Sequence, residues 1–152
     1  MSEPTVPQQL DLALQAERRG RFGEARELLR TVVAATGANE SLAQGAALRL
    51  GRLCALGGAE FADEAERVLR DVREQALADG ASRQAAESVH LLALVERGRG
   101  NLEEAWEWLN ESTVLSETSA PGPETAQLFH YRGLLTIENG ELANAERLFF
   151  RA

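Results

Sequence analysis

Lysine is absent from this sequence: all 16 basic residues are arginine, set against 24 acidic ones, for a formal charge of −8. So acidic a chain lacks the concentrated basic face that grips a phosphate backbone, which excludes nucleic acid as an expected partner. Exclusive use of arginine reads first as the coding bias of a GC-rich genome. Cysteine is nearly absent too. A lone Cys54 forbids an internal disulfide framework and any cysteine-based metal cluster, and it fits a reducing compartment. Aromatics make up 5% of the residues, Val and Ile are sparse, and Ala and Leu are abundant, a balance that favours helices over strands. No apolar run approaches the ~20 residues of a membrane span. The opening Met-Ser-Glu-Pro-Thr-Val-Pro has neither the basic flank nor the apolar stretch of a secretory signal, so the expected location is cytoplasmic. Catalytic signatures are missing as well: there is no nucleophile elbow, phosphate loop, metal-ligand cluster or carboxylate pair that stands apart from Glu-rich helix surfaces. The expectation is a chain that is not an enzyme and holds no cofactor or metal.

What is present is a repeat. Gly100, Leu102, Ala105 and Leu109 recur as Gly20/Phe22/Ala25/Leu29, Gly58/Ala62/Ala65/Leu69 and Gly140/Leu142/Ala145/Phe149. The four alanines Ala25, Ala65, Ala105 and Ala145 stand 40 residues apart at every step, and a period in that range marks a solenoid. Each first helix also carries a small residue, Ala13, Gly51, Ala93 or Gly133. Small residues let two helices approach closely, and the large residue one turn on fills the space beside the contact. The glycine before each second helix is suited to a left-handed helix end. The linker 116–123, with Pro121-Gly122-Pro123, is the one extended loop-like stretch.

On these residues the chain resembles the tetratricopeptide repeat (TPR) family, in a 40-residue-period variety, from about Val6 to Ala152. The resemblance implies an all-α fold, a right-handed α-solenoid of four tandem helix-turn-helix repeats. A single domain spans 1–152, with repeats at about 6–39, 40–81, 82–121 and 122–152, the last one truncated. Arg132 departs from the pattern where Leu12, Leu50 and Leu92 stand. Glu96 and Thr136 fill a slot held earlier by Ala16 and Cys54, so a looser core is expected there.

The family's partners lie along the first helices of the hairpins. By repeat position, that groove would hold Leu10, Leu14, Leu48, Arg49, Arg52, His90, Leu91, Leu94, Arg97, His130, Tyr131 and Leu134, a leucine-lined trough with arginines in its second turn. An apolar ligand with an acidic group suits that lining. The alternative for each leucine is packing between repeats. A clamp for chaperone C-termini is not expected, since only Arg49 matches its basic positions. His90 and His130 are one repeat apart, roughly 8–10 Å if equivalent; they are either a pH-responsive pair or two ordinary wall residues. Trp108 aligns with core positions. Trp106 aligns with solvated ones and is a candidate contact for a neighbouring module.

The implied function is a protein- or peptide-binding scaffold, the N-terminal sensing or docking module of a larger bacterial regulatory or signalling protein. The alternative is self-association, a homodimer formed through the C-terminal repeat using Phe149, Phe150 and Trp106.

Overall fold

The computed structural model describes residues 2–35, 40–117 and 130. Among them are six α-helices and no strand: α1 (Val6–Arg18), α2 (Phe22–Ala35), α3 (Glu40–Leu56), α4 (Ala62–Ala78, entered through a 3-10 turn at Ala59–Phe61), α5 (Ser82–Gly98) and α6 (Leu102–Glu117). Apart from His130, the hairpin expected over 122–152 lies outside the described residues. The chain divides into two compact units, Met1–Val72 and Arg73–Ala152, and the boundary falls inside α4.

Local chemistry explains where the helices start and stop. Thr5 caps α1 in a capping box: its hydroxyl accepts from the Gln8 N–H at 3.4 Å, and its own N–H donates to Gln8 Oε1 at 2.8 Å. Proline follows in the first turn, where a missing N–H costs nothing. At the other end Gly20 takes φ +73°, its N–H bonds the Glu17 carbonyl at 3.0 Å, and the Arg21 N–H reaches Ala16 at 2.8 Å. This paired closure recurs at Gly80 with Leu77 and Ala76, and at Gly100 with Arg97 and Glu96. Gly58, the counterpart of Gly20 in the 40-residue pattern, does something else. At φ +104° it heads the 3-10 turn and accepts from the Phe61 N–H.

Packing follows the periodic residues. Ala25, Ala65 and Ala105 are fully buried, and so are Leu29, Leu69 and Leu109 one turn later. In the first unit α1 packs on α2 and α2 on α3. The α3–α4 hairpin closes at Gly51, where an added Cβ would come within 2.7 Å of Leu69 Cγ. In the second unit α5 packs on α6, with Ala93, Ala105 and Leu109 at the centre and Leu102, Trp106 and Trp108 laid against them. Glu96 does not loosen this hairpin as its slot suggested. Its buried carboxylate accepts from Arg99 Nη1 at 2.9 Å and Asn101 Nδ2 at 2.8 Å, so the turn supplies its partners.

Candidate functional site

Helical spacing sets Leu10 and Leu14 on one stripe of α1, and Ser41/Leu42, Gly45/Ala46 and Arg49 on one stripe of α3. In the first unit these two stripes form the walls of a single open trough of about 470 Å³. Leu10, Leu14 and Leu42 supply the apolar lining, Gly45 leaves one wall without a side chain, and Arg49 supplies a charge. Arg49 Nη1 meets Glu17 Oε2 of α1 at 3.1 Å. Beyond Glu40, the charged residues of α3 are Arg49 and Arg52 alone, a basic stretch in an acidic chain.

Of the twelve groove residues named from the sequence, Leu10, Leu14 and Arg49 are therefore brought together. Arg52 is half-buried on α3. Leu48 and Leu91 are in the core, 8% and 5% exposed, which takes their side chains away from a partner. On α5 of the second unit, His90, Leu94 and Arg97 are half-buried and fall on one stripe at i, i+4 and i+7. Burial pushes the His90 imidazole down to about 4, so it is neutral at physiological pH. His130 is exposed. Tyr131, Leu134, Phe149 and Phe150 lie outside the described residues. Trp106 is half-buried against its own hairpin core, together with Trp108. The Trp108 ring lies 5.6 Å from the Arg73 guanidinium, and Arg73 makes a forked contact with Glu111. Glu17, Ser41, Leu42, Gly45 and Ala46 were not singled out by sequence; the signal for the four on α3 was the i−3, i−4, i−7 and i−8 spacing back from Arg49, and for Glu17 the i+3 and i+7 spacing on from Leu14 and Leu10.

A second polar cluster ties α2 to α4 in the first unit. Arg30 donates Nε to Glu64 Oε2 at 2.8 Å and Nη2 to Oε1 at 2.6 Å, and it also contacts Glu27. The Cys54 thiol donates to Glu64 Oε1 at 3.4 Å. The Arg30 hydrogen bonds hold the Glu64 carboxyl below its usual range. Burial, reinforced by the Glu64 charge, pushes the Cys54 thiol up to about 12. A thiol so protonated is a poor nucleophile and a poor metal ligand. Among the described residues, no group of three or more His, Cys, Asp or Glu is placed to hold a metal ion, and no helix is long and apolar enough to cross a membrane.

No protein-family model matches the chain, and the curated proteins give no significant match. Solved structures do match. MamA from Desulfovibrio magneticus is 18% identical, with 97% of this chain and 73% of that one covered at a TM-score of 0.73. A kinesin light chain with nearly identical TPR-like repeats, from Podosopora anserina, is 23% identical, with 97% of this chain and 74% of that one covered at 0.74. A variant of the latter aligns at 22% identity and the same TM-score, 0.74. At these identities the likeness concerns the fold. The fold is that of TPR-like tandem helical hairpins.

Proposed function

We propose that this chain is a non-enzymatic scaffold that binds a protein or peptide along the first helices of its hairpins, as a cytoplasmic sensing or docking module of a bacterial regulatory protein. The observation that carries this is the α1–α3 trough: an open apolar lining with one arginine at its side, on α1 and α3, the first helices of the two hairpins of this unit. Such a lining gives an extended or helical segment somewhere to bury side chains, while the charge fixes its register. Nucleic acid suits the chain less well. Its net charge is −8, and Arg21, Arg30, Arg49, Arg70, Arg73 and Arg99 are each committed to a glutamate.

The test is selection from a random peptide display library against the full chain, followed by NMR mapping of the enriched peptides. Shifts concentrated on Leu10, Leu14 and Leu42 are expected. Failure to enrich any peptide, or shifts confined to α2 and α4, would refute the assignment.

A further inference from the structure

Two glycines sit inside α3, and only one is explained by packing. Gly51 is buried against Leu69, where a side chain has no room. Gly45 is exposed, lies in the helix interior, and an added Cβ there would meet nothing within 4 Å. Glycine is among the poorest helix formers, so a mid-helix glycine with no neighbour to accommodate is a local cost that the fold does not require. What Gly45 does is keep one wall of the trough bare, between Leu42 and Arg49. A bare wall admits the main chain of a ligand closer than any side chain would allow.

Arg49 sets the chemistry beside that wall. Its side chain lines the trough, is 41% exposed and meets Glu17 through Nη1 alone at 3.1 Å, out of the five N–H groups a guanidinium carries. The arginines of α3 stand out in an acidic chain, so the complementary charge on a ligand is negative.

Resting on the peptide-binding reading above, we propose that the α1–α3 trough recognises an acidic-aliphatic peptide segment: leucine-like side chains seated on Leu10, Leu14 and Leu42, main chain crossing Gly45, and a carboxylate taking the place of Glu17 at Arg49. Glu17 is then an internal stand-in for the ligand acid. Binding exchanges one charge-assisted contact for another, so the carboxylate supplies selectivity and the aliphatic contacts supply most of the affinity.

The experiment uses the full chain and labelled octapeptides carrying two leucines and one glutamate in every register, with matched sets in which glutamine or lysine replaces the glutamate. The wild type is expected to favour the glutamate set by about two- to three-fold over glutamine, and by more over lysine. Gly45→Ala should bind within about three-fold of wild type, and Gly45→Leu should lose about ten-fold or more, because only the larger side chain fills the trough. Arg49→Gln should erase the preference for glutamate while leucine-dependent binding persists. Glu17→Gln should tighten the glutamate set about three-fold by removing the internal competitor. Melting curves check that each variant is folded; if Gly45→Leu is not, the loss of preference in Arg49→Gln decides. Equal affinity for all three peptide sets, or undiminished binding by folded Gly45→Leu, overturns the subsite and leaves peptide binding elsewhere standing. If neither these octapeptides nor any library peptide binds, the general peptide-binding reading falls with it.

Discussion

Two arginine–glutamate pairs bridge successive hairpins in the first unit, and they are built differently. Between α2 and α4, Arg30 engages both oxygens of Glu64, Glu27 touches the same guanidinium, and the Cys54 thiol adds a third donor to Glu64. Between α1 and α3, Arg49 meets Glu17 through one nitrogen, beside an open trough. The glycines of α3 repeat the contrast: Gly51 is pressed against Leu69 and Gly45 faces empty space. One side of the unit is locked by forked, part-buried contacts. The other is assembled from contacts that can be exchanged without loosening the core.

The largest effect expected from testing that contrast is at Gly51. Gly51→Ala places a methyl group against the Leu69 side chain, and overpacking of this kind costs about 1–3 kcal/mol. Urea unfolding should show a lower midpoint with an unchanged slope. Next is Arg30→Met, which strips the forked partner from a part-buried carboxylate and should cost about 1–2 kcal/mol at neutral pH. Because Arg30 holds the folded-state Glu64 pKa below its ordinary 4.5, this stabilisation is fully present above that value and is lost as pH falls through the lower folded value. The stability gap between wild type and Arg30→Met should therefore close in acid. A gap that stayed constant from pH 7 to below the carboxylate range would show that the pair contributes through packing and not charge.

The repeat was legible in the sequence because its markers are spaced by packing: Ala25, Ala65 and Ala105, each followed by a leucine, are all buried where the period puts them. The locked pair was not legible. Arg30 and Glu64 are 34 residues apart, whereas helical periodicity relates charges only at i+3 and i+4, which sets Arg30 beside Arg26 and Glu27 of its own helix and says nothing of α4. The trough was half legible for another reason. Helix α3 carries leucine or alanine on nearly every face, so periodicity alone does not separate the buried Leu48 from the half-buried Leu42. Leu12 shows the same limit. It occupies the repeat position of Leu50 and Leu92, yet it is 44% exposed against their 2% and 0%, since burial there depends on neighbouring helices that a repeat pattern does not name.

Gly45→Ala should act opposite to Gly51→Ala. With no neighbour to meet, the added methyl group only improves helix propensity, raising stability by about 0.5–1 kcal/mol in the same urea assay. Equal and negative effects at both glycines would erase the difference between the two faces of α3.

The smallest effect on folding is expected at Arg49, and that is what makes it informative. An ion pair this exposed is worth about 0.5 kcal/mol or less, because water and salt screen it and a long side chain loses rotamer freedom on joining it. Arg49→Gln should therefore unfold within about 0.5 kcal/mol of wild type, while Arg30→Met falls clearly below both. Added salt should narrow the already small difference at Arg49 and act less on the part-buried Arg30 pair. If Arg49→Gln instead proved as damaging as Arg30→Met, the Glu17 contact would be a structural tie, and the trough wall would be too costly to open for an incoming carboxylate.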